Sequence, residues 1–114
     1  MHLTAADVRL TPHERDGIRR AVSRACGQLH AGWRRITLFG SRADPARRGG
    51  DIDLLIELDP RQAVDEYLLM QRLRLALEDE LGEQRIDLVL DSGAQNNGFE
   101  CLARQQGVEL WSNT

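Results

Sequence analysis

Lysine is absent from this chain: all 15 basic residues are arginines, set against 18 acidic residues for a net charge of −3. With that balance there is no global attraction to a phosphate backbone, which excludes generic, charge-driven nucleic-acid binding. The all-arginine usage fits a GC-rich genome as well as a need for bidentate phosphate contacts. Aromatic residues make up only 4%. The interior must therefore be built from Leu, Ile, Val and Ala, and a stacking platform for single strands is excluded. Nowhere do 18 apolar residues run together, and Met1-His2-Leu3-Thr4-Ala5-Ala6-Asp7 holds no apolar leader core, so no membrane contact and a cytoplasmic location are expected. Cysteine is scarce too. Cys26 and Cys101 fall in segments that read as amphipathic helices, which suits buried free thiols better than a disulfide. His2, His13 and His30 lack zinc-ligand spacing and read as surface residues.

What is present is ordinary globular composition, 41% apolar and 29% charged over 114 residues, enough for one domain spanning 1–114. Thr11-Pro12-His13-Glu14 has a hydroxyl cap, Pro at the first helical position and Glu three residues after the cap. A helix over 12–31 is expected from there, with Ile18, Val22, Ala25, Cys26 and Leu29 as its apolar stripe. Residues 35–39 and 51–58 read as short buried strands, the second stopped by Asp59-Pro60. Between them, 42–50 is rich in Arg, Pro and Gly and reads as a short helix and a loop. A long helix over 63–81 follows, with Met70, Leu73, Leu77 and Leu81 on its core face and Gly82 closing it. A third strand over 85–90, a last helix from Asn97 to Gly107 and a short final strand over 108–111 complete the pattern. The fold class is α/β (α+β): a small mixed sheet backed by helices.

Asp51 and Asp53 lie two apart on one strand, so both carboxylates leave the same sheet face. Hard oxygen donors so placed suit Mg²⁺, which binds through one or two carboxylates plus substrate phosphates. Asp87 opens another apolar strand, with Leu88-Val89-Leu90 after it as Leu54-Leu55-Ile56 follow Asp53. If those strands are neighbours, three carboxylates converge, enough to hold two metal ions about 4 Å apart for in-line phosphoryl or nucleotidyl transfer. Phe39-Gly40-Ser41 supplies the other half: Gly40 lets a triphosphate approach the main chain, Ser41 offers a hydroxyl, and Arg42, Arg47 and Arg48 can neutralise phosphate charge. Singly, each feature has a plainer reading. An Asp-x-Asp is also a solvated strand end, Asp87 a strand opener paired with Arg85, and the arginines a solvated loop.

Their joint order resembles the minimal nucleotidyltransferases of the DNA polymerase beta superfamily. The residues are Leu38-Phe39-Gly40-Ser41-Arg42-Ala43, then Gly50-Asp51-Ile52-Asp53-Leu54, then Ile86-Asp87-Leu88. The resemblance runs from the first helix to Trp111. It departs at the 42–50 spacer, one residue shorter than usual, at Gly50 where a Ser commonly precedes the first Asp, and at Asp44-Pro45 in place of a small residue. It implies a polymerase beta-like nucleotidyltransferase fold, Gly40, Ser41 and Arg42 as nucleotide contacts, Asp51, Asp53 and Asp87 as catalytic metal ligands, Mg²⁺ as cofactor and ATP as substrate. Asp87 would be the carboxylate that activates the acceptor.

Small stand-alone members of that superfamily look like antitoxins that transfer AMP onto a tyrosine of a HEPN-type ribonuclease toxin. The resemblance thus implies an adenylyltransferase antitoxin with such a toxin as partner, in a homo- or hetero-oligomer. Two other readings stay open: a module with a decayed site that neutralises its partner by contact alone, and a nucleotidyltransferase with another acceptor. A haloacid-dehalogenase phosphatase also uses Asp-x-Asp, but there the aspartates follow the apolar strand, whereas here the strand follows them.

Overall fold

The computed structural model describes residues 10–40, 52–91 and 107–113. The first helix, α1 (Pro12–Gln28), starts at a closed capping box, in which Thr11 Oγ1 accepts from the Glu14 amide and Glu14 Oε1 accepts from the Thr11 amide, both at 3.0 Å. It stops three residues short of the expected end. His30 takes a left-handed φ of 53°. The Ala31 and His30 amides then donate back to the Cys26 and Gly27 carbonyls at 2.8 and 3.2 Å, a Schellman closure with histidine where glycine is usual.

Strands β1 (Trp33–Phe39) and β2 (Ile52–Leu58) pair antiparallel, and α2 (Glu66–Leu81) crosses back so that β3 (Ile86–Asp91) runs parallel to β2. The last strand, β4 (Val108–Ser112), adds antiparallel to the free side of β1, giving a mixed sheet of order β3-β2-β1-β4. Both helices begin and end where local chemistry sets them. Asp65 caps α2 by accepting from the Leu68 amide at 3.1 Å, three residues later than the apolar periodicity suggests. Gly82 closes it at φ 78°, as expected. Ahead of it, Asp59 accepts from the Arg61 amide at 2.9 Å and grips its guanidinium at 2.9 and 3.1 Å, which holds the Asp59 carboxyl down at about 2.

The pleat sends Ile52, Leu54, Ile56 and Leu58 of β2 towards the helices, where they meet Ile18, Val22 and Cys26 of α1 and Leu69, Leu73 and Leu77 of α2 in one apolar core. Leu69 and Ala76 hold core positions on α2, while Met70 and Leu81, expected there, are half-buried at its margin. Arg20–Glu80 at 3.0 Å and Arg24–Asp79 at 3.1 Å lace the two helices along their outer edge. Trp111 of β4 donates to the Arg15 carbonyl at 3.3 Å and lies under the Arg19 guanidinium, 4.7 Å from the ring centre, fastening β4 to α1. Cys26 is buried as a free thiol, and burial pushes its pKa up to about 11. His13 and His30 are exposed. Among the described residues no helix is long and apolar enough to cross a membrane.

Candidate active site

Three of the residues singled out in the sequence meet at one end of the sheet, and the topology is the reason. An antiparallel β1–β2 pair places the end of β1 beside the start of β2. A parallel β2–β3 pair places the start of β3 there too. In register, Phe39 stands opposite Asp53, and Asp53 stands opposite Asp87. Ile52 extends the ladder at that end by donating to the Arg85 carbonyl at 3.1 Å. Asp53 and Asp87 thus occupy adjacent strands at the same level, about 4.8 Å apart along the hydrogen-bonding direction. Both lie on the face away from the helices, since their neighbours Leu54 and Leu88 belong to the helix-side core.

Asp53 is half-buried and Asp87 exposed, and among the described residues Asp87 has no ion pair, so the expected alternative of a salt bridge with Arg85 is not formed. Two carboxylates brought to neighbouring strands at one level are a donor pair that a shared cation can bridge. Gly40 closes the site from the β1 side. It follows β1 at φ 75°, and a Cβ there would overlap the Asp53 Oδ2 atom. Its bare backbone leaves that carboxylate in place.

Asp51, Ser41, Arg42, Arg47 and Arg48 lie outside the described residues, as do His2, Cys101 and the expected last helix over 97–106, whose expected end Gly107 is a bend. Among the described residues no three acidic, histidine or cysteine side chains gather as a metal site. Asp87 also lines an open cleft of about 680 Å³ between α2 and β3, together with Arg74, Glu78 and Arg85.

A feature missed in the sequence sits further along the same face. Arg35 binds Glu109 of β4 at 2.7 Å and Glu57 of β2 at 3.5 Å, bridging three strands. Asp91, opposite Glu57 in register, is buried at 6% exposure, and Thr37 of β1, opposite Leu55, at 3%. Its signal was the recurrence of polar residues at even spacing on one strand face, 35 and 37 two apart, 53 and 57 and also 87 and 91 four apart. No family model matches the chain, and no curated protein matches it.

Proposed function

We propose that this chain is a metal-dependent nucleotidyltransferase of polymerase beta-like fold that transfers AMP from ATP to a tyrosine hydroxyl of a HEPN-type ribonuclease toxin, acting as its cytoplasmic antitoxin. The observation that carries the reading is the in-register Asp53–Asp87 pair beside Gly40, three motif residues separated in sequence and adjacent at one sheet end. The residues fit the group they would hold: the donors are hard carboxylate oxygens, as Mg²⁺ prefers, and the bare backbone of Gly40 makes room for the Asp53 carboxylate where a Cβ would sit.

In this reading Asp53 and Asp87, with Asp51, hold Mg²⁺, which when bound neutralises triphosphate charge and acidifies the acceptor hydroxyl. The Gly40 backbone, with Ser41 and Arg42, cradles and neutralises the phosphates. Asp87 takes the proton from the tyrosine oxygen as that oxygen attacks the α-phosphorus. The phosphorus–oxygen bond to pyrophosphate breaks and AMP stays on the tyrosine.

The test is co-expression with the product of the adjacent gene, followed by intact mass measurement. The neighbour should gain one AMP on a tyrosine when the wild-type chain is present, and none with Asp53→Asn. A neighbour that is inhibited but unmodified, equally well by Asp53→Asn, would overturn the enzyme reading in favour of inhibition by contact.

A further inference from the structure

The described residues contain two glycines at nearly the same positive φ, and they differ in what surrounds them. Gly82, at φ 78°, has nothing within 4 Å of where a Cβ would sit. At Gly40, φ 75°, an added Cβ would overlap Asp53 Oδ2 and lie 3.0 Å from Asp53 Cγ and 3.4 Å from Asp53 Cβ, so its three nearest atoms all belong to that one side chain. The helix cap needs glycine for the backbone alone. Position 40 needs it for the backbone and for the carboxylate.

We propose that Gly40 is a positioning residue for Asp53, its missing side chain fixing the direction in which the metal-binding carboxylate points. Asp53 sits within β2, paired to Phe39 on one side and Asp87 on the other. Its Cα therefore has little freedom, and a methyl at 40 is relieved by turning the carboxylate about its side-chain torsions, away from the arrangement shared with Asp87. This rests on the proposed role of Asp53 as a metal ligand, and it differs from a phosphate-cradle role for Gly40 in one respect. A cradle matters only when triphosphate is bound, whereas positioning matters to the cation alone.

The experiment compares the full-length wild-type chain with Gly40→Ala, Gly82→Ala, Asp53→Ala and the Gly40→Ala/Asp53→Ala double variant. Urea unfolding gives the folded-to-unfolded ratio, three-bond couplings to Asp53 Cγ give its χ1 rotamer, and paramagnetic resonance gives Mn²⁺ affinity without nucleotide. Gly82→Ala should lower the folded ratio about tenfold or more, since φ 78° with ψ −168° is a region essentially reserved for glycine. Gly40→Ala should also lower it, and in the Asp53→Ala background, where the new methyl meets only a Cβ at 3.4 Å, its cost should be about tenfold smaller. It should also change the Asp53 couplings and weaken Mn²⁺ binding at least tenfold.

Equal cost of Gly40→Ala in both backgrounds, or wild-type Asp53 couplings in folded Gly40→Ala, would overturn the inference. Should Gly40→Ala not fold, rescue in the double variant supports it and failure of the double variant overturns it. A wild-type chain that binds no Mn²⁺ would sink the metal reading, while the unfolding cycle and the couplings still decide whether Gly40 sets the Asp53 side chain.

Discussion

The two faces of the sheet are built from the same strands and do opposite things. On the helix side every inward β2 residue is apolar and no more than 3% exposed: Ile52, Leu54, Ile56 and Leu58. On the other face the same strand presents Asp53, Leu55 and Glu57, and its neighbours add Asp87, Asp91, Arg35 and Thr37. Leu55 is itself fully buried, so this second face is not bare, yet it is charged at both ends. Burying a charge costs free energy unless something compensates it. At one end Arg35 lies between Glu57 and Glu109. At the other, Asp53 and Asp87 stand side by side in register. The contrast between an apolar helix-side face and a charged outer face assigns stability to the first and chemistry to the second.

The sharpest way to break that assignment is Asp53→Asn. Metal-dependent transfer should be lost, since a ligand of the metal is removed, with the urea midpoint near that of wild type. A variant that loses activity only by unfolding would refute the division of labour. One residue along, Leu54→Ala on the helix side should do the reverse, costing about 2–5 kcal/mol of folding stability by chemical denaturation. At temperatures where it remains folded, its transfer rate per folded molecule should stay near that of wild type.

Over the described residues, element type and order were legible in the sequence because each rests on a local signal: the Thr11–Glu14 box, the Asp59-Pro60 stop, Gly82 after the second helix. Boundaries were less so. Apolar periodicity runs on past Gln28, yet His30 closes α1 by taking a left-handed φ, and periodicity begins at 63 although the Asp65 cap delays α2 to Glu66. Capping, by backbone at one end and by a side chain at the other, outweighs propensity at helix ends. Of the site, Asp53, Asp87 and Gly40 were nameable from their order, but their adjacency depends on the β2–β3 register, which is a long-range pairing and leaves no local trace. The Arg35–Glu57–Glu109 row escaped for the opposite reason. The uninterrupted Leu54-Leu55-Ile56 run reads as a strand buried on both sides, which hides the polar alternation flanking it.

The helix face makes a pH prediction of its own. Cys26 keeps its proton in the core up to about pH 11, while in the unfolded chain it ionises near 9.0. A raised folded-state pKa is a contribution present below the unfolded value and lost above it, so stability should decline between about pH 9 and 11, by at most about 1.4 kcal/mol per pH unit. Cys26→Ala should flatten the slope in that window in urea titrations at stepped pH. An identical slope in both proteins would assign the decline to other groups.

The smallest effect, and the one most local to a single backbone angle, belongs to His30. Histidine at φ 53° carries the left-handed penalty that glycine escapes, and the Schellman bonds from His30 and Ala31 use only backbone atoms, so replacing its side chain leaves them intact. Because glycine also gives the unfolded chain more freedom, the net gain of His30→Gly should be about 0.5–1 kcal/mol, a rise of a few degrees in Tm. His30 is exposed and lies at the β1 end opposite Gly40, so transfer activity should be untouched. Thermal unfolding monitored by circular dichroism measures the shift. A loss of stability would mean that the imidazole makes a contribution larger than the strain it imposes, and α1 would then end where it does because of that side chain rather than despite it.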